Sequence, residues 1–197
     1  VATEESVTAV FVHVPKTGGV SIQQALGLEQ HRNRRALRRG AEYAGLVTFG
    51  HELPARLVRA GYLDPTGVFF FAFCRNPYDR AVSLWAHWRR EGGGLGFPDW
   101  CRLLPAMGWR LRAPQARWTD AIDLGFLGRF ETLAADFDRL CDALGVERRP
   151  LPLLNASPHR PWREHYDEET AAIVRAQYAR DFERFGYDEN DYLPDGQ

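Results

Sequence analysis

Lysine is almost missing from this chain. Of its 25 basic residues, one is lysine, Lys16, and the rest are arginine. A chain that accepts arginine wherever a cation suffices keeps a lysine where a compact ammonium on a thin stem is needed, because a planar guanidinium does not replace it. Cysteine is scarce too: Cys74, Cys101 and Cys141 are an odd number without metal-ligand spacing. They point to reduced thiols in a cytoplasmic protein, each a small packing residue. Net charge is nearly absent, at -1, which argues against a protein held to nucleic acid by bulk electrostatics. No apolar run is long enough to span a bilayer; the longest, Val68–Cys74, has the length of a buried strand. No signal-peptide pattern is expected either, since Phe11–Val14 already has the character of core. Internal repeats and a second composition regime are also lacking. With 197 residues, 45% of them hydrophobic, the expectation is one well-buried core and a single domain over residues 1–197.

Lys16 lies in Val14-Pro15-Lys16-Thr17-Gly18-Gly19. The β-branched, apolar segment Thr8–Val14 predicts a strand covered on both faces, and Val20–Leu26 predicts a helix. Between them, the two glycines let the backbone come close to a ligand. Strand, glycine loop and helix together predict an anion site, for phosphate above all, built from loop amides and a helix N-terminus. The plain alternative is one solvated lysine.

Farther along, residues 29–40 carry five arginines, read either as a solvated face or as a collar for an acidic acceptor. Val47–His51 predicts a short strand ending in a histidine. Val68–Cys74 predicts a second buried strand that runs into Arg75, and Asn76-Pro77 starts a helix over Pro77–Arg90 with Val82, Trp85 and Trp88 at helical spacing. The glycine cluster at 92–96 follows a helix and not a strand, so it predicts a connector and not a nucleotide fingerprint. Residues 97–120 are rich in tryptophan and arginine but weakly periodic. A strand edge is expected at Phe126–Glu131, then a helix burying Leu133, Phe137, Leu140 and Leu144 and capped by Gly145. After the proline-punctuated segment 151–162, one last helix is expected from near Asp167 to Gly186, with Val174, Tyr178, Phe182 and Phe185 on one face. Alternating strands and helices give an α/β fold with a mostly parallel sheet.

The Lys16 loop is not that of nucleotide triphosphatases, whose lysine follows the glycines, and no strand-terminal aspartate stands ready for magnesium. Both points weaken kinase and ATPase readings. Arg75, at the end of the second strand, and Ser83, eight residues on, suit a separate phosphate; an ion pair of Arg75 with Asp79 is the alternative.

At these two segments the chain resembles a known family. Phe11–Ser21 resembles the 5′-phosphosulfate loop of sulfotransferases that use 3′-phosphoadenosine 5′-phosphosulfate (PAPS), and Arg75–Ser83 resembles their 3′-phosphate motif. Gly128-Arg129-Phe130-Glu131 and the segment Tyr178–Tyr187 are similar to the carbohydrate-type branch, with its 2-O-sulfotransferase-like group and short bacterial members.

The resemblance implies a P-loop-like three-layer α/β fold, a central mostly parallel sheet flanked by helices, and PAPS as co-substrate without a metal. It implies that Lys16 stabilises the leaving phosphate, with the residue 17–20 amides (Thr17, Gly18, Gly19, Val20) and the Thr17 and Ser21 hydroxyls beside it. Arg75 and Ser83 would take the 3′-phosphate, and Ser157, with Asn155 and Arg160, would belong to a segment closing over the nucleotide. His51 is the implied general base and Glu52 its substitute. Some polysaccharide-modifying members carry a further histidine where this chain has Phe49, a departure from the uronic-acid pattern. His13 reads as structural, and His31, His87, His159 and His165 share no metal-ligand spacing. The tryptophans read as core, with one or two available to an acceptor cleft. The expected acceptor is a hydroxyl of a glycan or small natural product; its identity and the oligomeric state stay open. The alternatives are a P-loop nucleotide phosphotransferase and a non-catalytic nucleotide-binding module.

Overall fold

The computed structural model describes residues 8–30, 45–152 and 160–193. The arginine run, Asn155, Ser157, His31 and His159 lie outside the described residues. In chain order the elements begin β1 (Ala9–Val12), α1 (Gly19–Leu26), β2 (Glu29–Gln30), β3 (Leu46–Thr48), α2 (Pro54–Arg59) and β4 (Phe69–Cys74). They continue α3 (Pro77–Arg90), α4 (Phe97–Leu103), α5 (Trp109–Arg112), α6 (Ala116–Thr119) and β5 (Leu124–Arg129). The last are α7 (Leu133–Leu144), α8 (Glu168–Gln177) and α9 (Ala179–Phe185). Contacts divide the chain into two units, one within Val1–Cys74 and Arg117–Leu154, the other within Arg75–Ala116 and Asn155–Gln197.

The first unit holds a parallel sheet in the order β2-β3-β1-β4-β5. Phe11, Phe71 and Phe73 face Ile22 of α1 and Phe137 and Leu140 of α7 in one core. Burial of each such ring is worth about 2 kcal/mol relative to leaving it exposed. Val10, Val12, Phe70 and Ala72, on the opposite face of the same strands, are buried as well. Two-sided burial is why β1 and β4 read as unbroken apolar runs and not as alternating ones. Order reverses at β1 and β4: β1 connects toward β2 on one side, β4 toward β5 on the other. The carboxyl ends of strands at such a reversal are where open parallel sheets take ligands.

The second unit is helical. Tyr78, Trp85, Phe97, Trp100, Val174, Tyr178 and Phe182 form its core. Asn76 caps α3 by accepting the Tyr78 N–H at 2.9 Å, with Pro77 at the first turn as the sequence anticipates. Asp167 and Thr170 form a reciprocal capping box at the start of α8.

Several expectations need correction. The single last helix is two, because the backbone leaves helical geometry at Tyr178 (φ -116°, ψ 24°) while the apolar stripe carries on across the break. β3 stops at Thr48, and Gly50 (φ 60°) turns the chain so that His51 sits on a loop and not on a strand. The weakly periodic 97–120 segment contains the short helices α4, α5 and α6, interrupted by Pro105, Gly108 and Pro114. Neither β2 nor α2 was anticipated. Among the described residues, no helix is long and apolar enough to cross a membrane.

Candidate functional site

The loop that leaves β1 is tightly built. Lys16 has φ 69°, and among the described residues it is the non-glycine position with left-handed backbone. Such geometry costs an L-residue with a Cβ about 1–2 kcal/mol, and it persists where surrounding bonds over-determine it. Those bonds are visible. The buried Thr17 hydroxyl donates to the Val14 carbonyl at 3.0 Å, and the Gly18 carbonyl accepts from Ser21 N–H at 3.1 Å and Ile22 N–H at 3.3 Å, starting α1. Thr17 therefore spends its hydroxyl proton on the shape of the loop, where the resemblance assigned it to the donor. Gly18 is left-handed (φ 82°), and a Cβ there would stand 2.9 Å from Leu133 Cδ2. At Gly19 a Cβ would overlap the His13 imidazole. Packing and backbone geometry thus account for both glycines, which the sequence attributes to a close ligand. Ser21 is buried on the first turn of α1, Val20 is exposed, and Lys16 is half-buried.

His13 links this loop to the candidate base. Its ring lies against Gly19, stacks on Phe11 at 5.3 Å, and stands 4.2 Å, centroid to centroid, from the His51 ring. His51 Nδ1 lies 2.8 Å from the His13 carbonyl oxygen. A carbonyl oxygen only accepts, so Nδ1 carries the proton and the lone pair of the neutral ring sits on Nε2. The His51 backbone is held as well, its carbonyl accepting from Trp118 Nε1 at 3.2 Å. Thr48 fixes the approach: its hydroxyl donates to the Phe11 carbonyl at 3.0 Å and accepts the Gly50 N–H at 3.3 Å. The first unit therefore brings together the Lys16 loop, His13 and His51. Glu52, the substitute base, is half-buried beside His51 in sequence.

Arg75 and Ser83 fall in the second unit, both buried. Arg75 pairs with Asp79 in a two-point contact, Nε to Oδ2 at 2.7 Å and Nη2 to Oδ1 at 2.8 Å. The ion pair raised as an alternative is thus present, and it orients the guanidinium. Ser83 lies two turns into α3. Sequence reasoning passed over Gln115, whose side-chain amide bonds both peptide groups of Arg75; Asp181, singled out there only within the Tyr178–Tyr187 resemblance, is contacted by Gln115 and Arg80. Burial pushes the Asp181 carboxyl above its ordinary value, against the pull of Arg80 and of the Ala116 and Gln115 amides.

The remaining candidates sit elsewhere. A cleft of about 710 Å³ in the second unit is lined by Trp85, Arg89, Arg90, Phe97, Arg160 and His165 among others. Trp85, Trp100 and Trp118 are buried, as expected of core. All three cysteines are buried, and desolvation pushes the Cys101 thiol up to about 12 and raises Cys141 too.

No protein-family model matches the chain, and no curated protein sequence matches it. Among solved structures it is similar to a mouse sulfotransferase, SULT7A1, complexed with PAP, at 14% identity and a TM-score of 0.49, covering 92% of this chain and 66% of that one. It is also similar to a sulfotransferase from Alicyclobacillus acidocaldarius, at 17% identity and a TM-score of 0.58, covering 98% of this chain and 99% of that one. The second likeness establishes the architecture: over nearly its whole length the chain has the α/β fold of a solved sulfotransferase, a central parallel sheet flanked by helices.

Proposed function

We propose that the chain, acting as one domain over residues 1–197, is a sulfotransferase that moves a sulfuryl group from PAPS to a hydroxyl of a glycan or small natural product. One observation carries the reading: the Lys16 loop and a histidine with a fixed tautomer stand together in one unit, joined through His13. The Phe11–Ser21 and Arg75–Ser83 motifs and the sulfotransferase architecture support it. PAPS supplies the sulfuryl group. His51 Nε2 takes the proton of the acceptor hydroxyl as its oxygen bonds to sulfur, and the bond from sulfur to the phosphate oxygen breaks. The Lys16 ammonium neutralises charge gathering on that phosphate oxygen, with the amides of residues 17–20 and Ser21 as companions. Arg75, aimed by Asp79, and Ser83 hold the 3′-phosphate; Ser157 joins them on the motif resemblance alone.

Incubation of the protein with PAPS and an acceptor library, read by mass spectrometry, tests this. Wild type adds a sulfuryl group to at least one hydroxyl acceptor, and His51→Ala slows that transfer by about 10²-fold or more. Equal turnover by His51→Ala removes His51 as the base. Absence of transfer to any acceptor, with PAP still bound, leaves the binding-module alternative standing.

A further inference from the structure

Arg75 is gripped at its backbone as well as at its guanidinium. Its N–H donates to Gln115 Oε1 at 2.9 Å, and its carbonyl accepts from Gln115 Nε2 at 2.8 Å. β4 has ended one residue earlier, so a single side-chain amide does here what a neighbouring strand does inside a sheet, pairing both peptide groups of one residue. Gln115 is fixed in its turn. Its N–H donates to Asp181 Oδ2 at 2.8 Å, its Nε2 lies 3.3 Å from the same oxygen, and Ala116 N–H donates to Asp181 Oδ1 at 2.8 Å. Arg80 Nη1 stands 3.9 Å from Asp181, and both of its terminal nitrogens donate to the Ala113 carbonyl at 3.3 Å. Gln115, Arg80 and Asp181 are essentially without solvent exposure. A buried polar network with each member bonded is rigid, and any member left unpaired is costly. The order of dependence runs from Asp181 to Gln115 to the Arg75 peptide, and Asp79 then sets the guanidinium.

We propose that Gln115, anchored by Asp181, is a positioning residue that presets Arg75 for the 3′-phosphate of the donor, an inference that rests on the role given to Arg75 above. It calls for both halves of the amide. Gln115→Met keeps the approximate volume and loses both bonds. Gln115→Glu keeps an acceptor for the Arg75 N–H but turns a carboxylate oxygen toward the Arg75 carbonyl.

The test compares two nucleotides by calorimetry: PAP, which carries the 3′-phosphate, and adenosine 5′-phosphate, which does not. Wild type prefers PAP. Each variant loses about tenfold or more of that preference, with its affinity for adenosine 5′-phosphate unchanged within about twofold. A purely structural role weakens both nucleotides together and leaves the ratio alone, which overturns the proposal. Wild type without any preference for PAP overturns the reading of Arg75 itself, and so is told apart from failure of the positioning role. Amide exchange on the wild-type protein, by NMR, decides the matter even where the variants do not fold. Protection of the Arg75 N–H before any nucleotide is added is the expected result. Fast exchange that slows only with PAP bound overturns presetting.

Discussion

Lys16 carries two separate properties, a side chain suited to an anion and a backbone that a side chain disfavours. Left-handed φ at a residue with a Cβ is strained, and it persists where the surrounding structure over-determines it. The two properties come apart in two substitutions. Lys16→Arg keeps charge and backbone penalty but replaces the compact ammonium with a planar fork. Its expected outcome is a fall in sulfuryl-transfer turnover of about 10²-fold, with a urea midpoint close to wild type. Lys16→Gly removes the penalty, recovering about 1 kcal/mol, and gives part of it back through the added freedom of the unfolded chain. That variant is expected to be as stable as wild type or slightly more so, and to transfer no sulfuryl group at a measurable rate. Near-normal turnover in Lys16→Arg makes the lone lysine an accident of composition. At this scale the sequence displays candidate residue types but not the conformations they take. The rarity of lysine, the glycines and the histidine after Gly50 are all readable in one dimension. The φ of Lys16, the proton on His51 Nδ1 and the His13 ring over Gly19 depend on neighbours that arrive through folding.

Elements were legible where local pattern and tertiary demand agree. β1 and β4 are apolar without alternation because both faces are covered, and α3 starts where Asn76 caps and Pro77 fits. The break at Tyr178 was hidden because Val174, Tyr178, Phe182 and Phe185 keep helical spacing through it. Gln115 was hidden for a different reason: its partners are 40 and 66 positions away, at Arg75 and Asp181, and its own segment has little periodicity. The start of α8 is an element with a checkable energy. Asp167 Oδ1 accepts from Thr170 N–H at 2.8 Å and from the Thr170 hydroxyl at 2.6 Å, while Thr170 Oγ1 accepts the Asp167 N–H at 3.0 Å. The Thr170 bonds, with side chain ahead of backbone, hold the Asp167 carboxyl below its ordinary value. A carboxyl whose folded value is depressed adds stability above its unfolded value, and that stability is lost as pH falls through the folded one. Asp167→Ala is therefore expected to cost about 1 kcal/mol in urea unfolding at neutral pH. The gap between variant and wild type closes as pH drops below about 4. A gap that stays constant down to pH 3 means that the cap acts through shape and not through its charge.

On the scale of the whole molecule, a ligand that binds the folded chain and not the unfolded one draws on the entire folding equilibrium. Under the proposed function, PAP at about a hundred times its dissociation constant is expected to add about 2.7 kcal/mol to stability. For a chain of 197 residues that becomes a rise in melting temperature of about 5–10 °C. The rise discriminates between the two enzymatic readings, because a nucleotide phosphotransferase neutralises its phosphates largely through magnesium, whereas the proposed function gives that duty to arginine and lysine. Under the sulfotransferase reading, the shift with PAP is the same in excess EDTA as in millimolar magnesium. It shrinks in Ser83→Ala, and adenosine 5′-phosphate produces a smaller one. A shift that appears only with magnesium, and that adenosine triphosphate matches or exceeds, supports the phosphotransferase instead. In that case the order of lysine before glycines in Pro15-Lys16-Thr17-Gly18-Gly19 no longer separates this loop from those that cradle nucleoside triphosphates.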